Sequence, residues 1–142
     1  MSSLPPPNPA QTKHAGSLTP SWKIAVIITN VLIAGSLLVL AISADRVGKP
    51  TWWLASQTSG LFSVLSVVPF LAPVGVIVTT IRASRFTPIA GLVATALLAA
   101  SSVVDISRSP GIALGEAILA ACMALTTISA FAGRNRSVAS GL

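Results

Sequence analysis

The amino-acid sequence predicts an all-α membrane protein, a four-helix transmembrane bundle with both termini in the cytoplasm. Three observations carry this reading. The first is the spacing of charge. No Asp, Glu, Lys or Arg lies between Lys23 and Asp45, Lys49 and Arg82, Arg85 and Asp105, or Glu116 and Arg134. Each interval is mostly apolar and holds at least the roughly 17–25 residues that a helix needs to cross a bilayer's hydrocarbon core. The second is composition. Of 142 residues, 53% are hydrophobic and 8% charged, with mean hydropathy +0.84. A soluble domain carries roughly a quarter charged residues, so water alone cannot solvate this surface and lipid must cover most of it. The third is the placement of the basic residues. Lys13, Lys23, Arg82, Arg85, Arg134 and Arg136 fall on the side of both termini, with no acidic residue among them. Arg46, Lys49 and Arg108 fall on the other side, together with Asp45, Asp105 and Glu116. Six basic residues against three put the termini inside the cell by the positive-inside rule.

Taken in order, residues 1–21 form a tail rich in Pro, Ser, Asn and Gln, expected to be disordered with polyproline II character at Pro5, Pro6, Pro7 and Pro9. The first span covers residues 22–44, with Thr19 and Ser21 available as caps and Trp22 and Lys23 suited to the interface. Its apolar stretch far exceeds the 7–15 residues of a signal-peptide core, so it is read as a retained span. The loop that follows holds Trp52 and Trp53, a pair suited to the headgroup layer. The second span covers residues 60–81, and Arg82 and Arg85 close a tight turn into the third, residues 86–104. After a short loop, Pro110 opens the fourth span, residues 110–132, with Ser109 as its N-cap and Gly133 as its C-terminal cap. Residues 134–142 form a short basic cytoplasmic tail. A weak internal repeat links the two hairpins. Ile33-Ala34-Gly35 recurs as Ile89-Ala90-Gly91, and Asp45 and Pro50 recur at the same offset as Asp105 and Pro110.

Few residues are equipped for chemistry. The only histidine, His14, lies in the tail, so bis-His haem ligation and His-rich zinc sites within one chain are excluded. The only cysteine, Cys122, precludes an intrachain disulfide and reads as a small packing residue. There is no P-loop, no pair of intramembrane acids, no His–Ser or Cys–His couple and no run of metal ligands. Thr58-Ser59-Gly60 loosely resembles the serine motif of intramembrane proteases but has no histidine in any span to serve it. No catalytic residue, cofactor or metal is expected. The net charge of +6 is scattered in ones and twos at span ends, which argues against nucleic acid as a partner.

Three groups of residues remain as candidate sites. Glu116 lies about 9–10 Å along the fourth helix. One reading makes it a proton- or cation-binding carboxyl coupled to Asp105 and Arg108. The other, favoured because only one acid enters the membrane at all, turns it towards the headgroups and towards Arg108, Lys49 or Arg46. Pro69 and Pro73 each remove an amide donor, and their spacing stacks two defects on one helix face, which frees carbonyls near Leu65 and Pro69. Asn30, two turns inside the first span, needs a partner on another helix and is matched in depth by Thr79 or Thr80. Small residues at four-residue spacing mark close helix contact: Gly91, Thr95 and Ala99 in the third span, Gly111 and Gly115 with Ala113, Ala117 and Ala121 in the fourth.

The Pro-rich start, the short Arg82–Arg85 turn, the alanine-rich third span ending Val103-Val104-Asp105 and the polar-poor fourth span resemble small four-span actinobacterial membrane proteins of unknown function. That resemblance implies the four-span fold and no activity. The sequence thus points to a non-enzymatic protein of the plasma membrane whose partners are the lipid bilayer and either other membrane chains or copies of itself. It would act as an accessory or stabilising subunit of a larger complex or as a small homo-oligomer. The alternative is a small oligomeric transporter or channel using Glu116 and the Pro69–Pro73 kink.

Overall fold

A computed structural model describes residues 18–49, 51–53, 66–82 and 85–134. It contains four helices: α1, Pro20–Arg46; α2, Val68–Ile81; α3, Thr87–Asp105; and α4, Pro110–Ala132. The N-terminal tail up to residue 17, the Thr58-Ser59-Gly60 stretch, Leu65 and the tail beyond Arg134 lie outside the described residues.

Every helix carries a proline at its first or second position: Pro20, Pro69, Pro88 and Pro110. Its ring presets the helical φ, and its missing N–H is one the first turn would leave unpaired anyway. None of the four N-caps makes a side-chain capping bond. Thr19 and Ser109 hold the expected positions, but what they contribute is a backbone carbonyl, accepting from Lys23 at 3.0 Å and Ala113 at 3.0 Å. Proline has displaced hydroxyl capping as the start signal.

The same rule corrects the expected double kink. Val68 is the first helical residue of α2, so Pro69 sits where a proline belongs. Only Pro73 lies inside the helix, where it denies the Pro69 carbonyl its amide four residues on. The stacked pair of defects reduces to one.

The helix ends differ in kind. After α1, Gly48 adopts φ +70°. Its amide bonds the Asp45 carbonyl at 3.0 Å, and the Lys49 amide bonds that of Ala44 at 3.1 Å. This is a Schellman motif, which needs a residue free of a Cβ at the left-handed position. Gly133, expected to cap α4 in that way, has φ −81°. It is needed for space, because a Cβ there would run into the Trp22 ring. Beside it the Thr19 amide donates to the Gly133 carbonyl at 3.2 Å, and Leu18 pairs with Arg134 in an antiparallel bridge. The two ends of the bundle's chain are thereby tied together.

α1 packs against α2 and α4, and α3 packs against α2 and α4, so the helices close a ring of antiparallel neighbours. The buried positions follow a seam of three- and four-residue steps. In α4 they are Ala113, Glu116, Ala120, Met123, Thr127 and Ala130. In α3 they include Thr87, Gly91, Ala94, Leu98, Ser101 and Asp105. α1 buries Val26, Asn30, Ile33, Leu37, Ala41 and Ala44. Such a seam keeps one stripe of each helix facing its neighbours.

That seam also revises the small-residue contacts. Steps of four residues advance 400° at 3.6 residues per turn, drifting about 40° each time. The series Ala113, Ala117, Ala121 therefore leaves the interface after Ala113, and Ala117, Ala121, Ala99 and Cys122 are exposed. Gly91 does meet α4, where a Cβ would overlap the Thr127 side chain. Gly115 faces α1 instead of α3, since its Cβ would lie 2.9 Å from Leu40 Cδ2. Gly111 is exposed with open space around it, so it makes no helix contact. The repeat does not extend to environment either: Gly35 and Asp45 are exposed, whereas Gly91 and Asp105 are buried.

Large apolar side chains line the outside. Leu32, Ile81 and Leu125 are 65%, 66% and 65% exposed, while Asn30 and Glu116 are 0% and 1% exposed. A fold that turns its leucines outward and its polar groups inward is built for lipid. α1, α3 and α4 are long and apolar enough to cross a membrane. α2, with 14 residues, spans about 21 Å at 1.5 Å per residue. The expected second span starts eight residues earlier, and residues 54–65 are not among those described.

Two substitutions test this packing by thermal unfolding in mild detergent, followed by circular dichroism. Gly91→Ala is expected to cost about 1–3 kcal/mol, because the β-branched Thr127 opposite cannot rotate clear. Gly111→Ala is expected to be neutral or to stabilise by about 0.5–1 kcal/mol through helix propensity alone.

Candidate functional site

At the end of the bundle away from the termini, residues 51–53 fold back over the α3–α4 loop. Trp53 was expected in the headgroup layer. Instead it is 1% exposed and packs edge-on against Phe70 of α2, with ring centroids 6.0 Å apart and an interplanar angle of 89°. Its indole N–H donates to Glu116 Oε1 at 3.2 Å, and its carbonyl accepts from Ser66 Oγ at 3.2 Å. One residue earlier, the Trp52 amide donates to Asp105 Oδ1 at 3.0 Å. Thr51 is wholly buried by the same closure.

Glu116 is the seventh residue of α4, about 9 Å from the helix start. It occupies a seam position between Ala113 and Ala120, which aims it inward. The expectation that it turns to the headgroups and a basic partner is therefore overturned. Its hydrogen-bond partner is a neutral indole, and Arg108 is exposed. Of the expected group Glu116, Asp105 and Arg108, the two acids lie under one loop, and the exposed Arg108 acts on Asp105 from the rim. Asp105 also organises the turn, since its backbone carbonyl accepts the amides of Arg108 at 3.1 Å and Ser109 at 2.8 Å. Ser102 Oγ donates across the interface to the Ala113 carbonyl at 2.8 Å, clamping α3 to α4 just inside the site.

Elsewhere the polar side chains look after themselves. Asn30 Nδ2 donates to the Val26 carbonyl at 2.8 Å, Thr80 Oγ1 to Val76 at 2.7 Å and Thr127 Oγ1 to Met123 at 2.8 Å, each four residues back on its own helix. Thr79 donates to the Gly75 and Val76 carbonyls. The bond expected from Asn30 to Thr79 or Thr80 is thus replaced by local ones, which cost no alignment of two helices. Asn30 Oδ1 has no partner within the described residues. The cross-element side-chain bonds described above all sit at the Trp53 end.

Sequence reasoning missed Trp53, Ser66 and Thr51 as parts of this site. The available signal was chemical. An indole is a donor with no acceptor, and a carboxylate inside a membrane needs such donors, but 63 residues separate the pair. Among the described residues, no group of three or more His, Cys, Asp or Glu is placed to hold a metal.

Two grooves mark the outer surface. One of about 360 Å³ runs between α2 and α3, beside Gly75 and Phe86. A larger one of about 670 Å³ runs between α1 and α4, lined by Gly35, Ser36, Leu40, Gly115 and Ile118 among others. Both are almost entirely apolar.

Trp53→Phe keeps the aromatic ring and removes the N–H that serves Glu116. It is expected to destabilise the bundle by about 1–3 kcal/mol, the cost of a buried acceptor left unmet. Adding Glu116→Met to that variant is expected to restore most of the loss, because both polar partners are then gone. Unfolding midpoints of the two single variants and the double variant check this coupling. No protein-family model, curated protein or solved structure matches this chain.

Proposed function

We propose that this is a non-enzymatic integral protein of the plasma membrane that works by contact, as an accessory or stabilising subunit of a larger membrane complex or as a small homo-oligomer. The observation that carries the proposal is the groove between α1 and α4. It opens on the lipid-facing side near the middle of α1, and Gly35 on its wall has no atom within 4 Å of where a Cβ would stand. In lipid no hydrophobic drive joins helices, so association depends on close backbone approach at small residues. The occupant that suits such a groove is an apolar transmembrane helix of a neighbouring chain. Leu37, Leu98 and Met123 are wholly buried at the centre of the bundle, and the perimeter is the apolar surface it offers.

Orientation with both termini cytoplasmic rests on charge. Lys23, Arg82, Arg85 and Arg134 mark the end where Leu18 and Arg134 pair, and no acidic residue joins them there. The small-transporter reading draws support from the burial of Glu116. It keeps only half of the proline feature, because Pro69 lies in the first turn of α2 and Pro73 alone is inside the helix.

Gly35→Leu fills the groove without a clash inside the monomer, so unfolding should be unchanged while the associated helix is displaced. Native mass spectrometry of protein extracted in mild detergent is expected to show an assembly for the wild type and a monomer for the variant. A wild type that is itself a partnerless monomer would sink the contact reading. For the rival, Glu116→Gln is expected to leave proton and solute flux into vesicles unchanged.

A further inference from the structure

We propose that Asp105 and Glu116 form a proton-binding site closed by the loop of residues 51–53. The inference stands apart from the contact reading, since it concerns the sealed end of the bundle and not its perimeter. Both carboxyls are buried, at 0% and 1% exposure. A buried carboxylate without a countercharge costs several kcal/mol, and proteins meet that cost with a cation, a metal or a proton.

Among the described residues Glu116 has no basic neighbour acting on it, and Asp105 has only the exposed Arg108. α4 contributes Glu116, and α3 contributes Asp105 and the neutral Ser102. The start of α2 contributes Ser66 and Phe70, neither of which titrates. At the end of α1, Asp45, Arg46 and Lys49 are exposed, as is Arg108 in the loop between α3 and α4. Each carboxyl receives one neutral N–H donor, from the Trp52 amide or the Trp53 indole, on one oxygen. The other oxygens, Asp105 Oδ2 and Glu116 Oε2, have no hydrogen-bond partner among the described residues.

A separate observation points the same way. Thr51 Oγ1 is buried in the closing loop, and neither it nor the buried Trp52 indole nitrogen has a partner among the described residues. Buried polar atoms are nearly always paired. Four of the five orphaned side-chain atoms described belong to these four neighbouring residues, the fifth being Asn30 Oδ1. A hydroxyl both donates and accepts, so Thr51 is equipped to pass a proton or to hold the water that does. The adjacent residues Trp52 and Trp53 hold Asp105 and Glu116 under one loop, and two near carboxylates are relieved by taking up one proton between them. Two carboxyls and a hydroxyl fall well short of the six to eight oxygens of a calcium site. A proton needs only one oxygen and an acceptor. Asp105, the last residue of α3, stands at the loop side and Glu116 deeper in α4, so the proton enters from the loop side.

The test is pH-difference infrared spectroscopy of the full chain in lipid nanodiscs, reading the C=O stretch of a protonated carboxyl. The wild type is expected to show a band that is lost in Glu116→Gln and unchanged when Na⁺ replaces choline at fixed pH. Asp105→Asn is expected to change the pH at which the band forms. A band that survives Glu116→Gln overturns the proposal, and so does one displaced by Na⁺ at fixed pH, which would make the ligand a metal cation. Gln keeps the oxygen that Trp53 addresses. Should Glu116→Gln still fail to fold, Thr51→Val carries the test. It leaves both carboxyls in place and is expected to slow proton exchange at the band, and an unchanged rate then counts against the site.

Discussion

The hydrogen bond from the Trp53 indole to Glu116 is the contact on which the rest of this molecule's polar economy turns. In hydrocarbon, a polar group unmet by protein has no water to fall back on. Glu116 lies two turns inside α4 and faces the bundle, so its partner has to be carried in from elsewhere. The loop after α1 does this by folding Trp53 into the end of the bundle, where Phe70 supports the ring edge-on and Ser66 holds its carbonyl. The Trp52 amide reaches Asp105 in the same movement. One short segment thereby joins α2, α3 and α4.

That arrangement divides the bundle into two regimes. Along the helices, Asn30, Thr80, Thr95, Thr126 and Thr127 return their donors to carbonyls one turn back, so these side chains tie no helix pair together. Contact instead rests on fit, as where Gly91 admits Thr127 and Gly133 admits Trp22. At the loop end, bonds between elements dominate. Such a fold has one end fixed by specific polar contacts and a shaft free to present apolar surface. This suits a protein that is recognised along its sides and that keeps Asp105 and Glu116 under cover.

Much of the fold was legible in the sequence, because charge is too costly in lipid to be placed carelessly. The charge-free intervals follow the apolar helices, and Pro110 announces the start of α4. The same logic applies to Pro20, Pro69 and Pro88, yet apolar sequence on both sides of Pro69 hides the boundary and makes it read as an interior defect. The inward stripes were harder to see. A helix in lipid is apolar on every side, so hydrophobicity does not separate the two faces. Only the three-and-four spacing of residues such as Asn30, Glu116 and Thr127 does. The site itself was half legible. Glu116 and Asp105 stand out as costly, but a tryptophan pair near a membrane surface reads as an interface anchor. Only the folded loop shows that Trp53 turns the other way.

Collisional quenching tests that inward turn most directly. Full-length protein with Trp22 and Trp52 replaced by Phe keeps Trp53 as its single fluorophore, and the Trp52 backbone amide is preserved. In nanodiscs, the account predicts emission that resists iodide in the aqueous phase, and a gain in quenching when Glu116→Met releases the indole. Trp53 emission freely quenched by iodide in the unaltered site would contradict it, placing the ring among the headgroups and leaving Glu116 without the partner around which this end of the bundle is built.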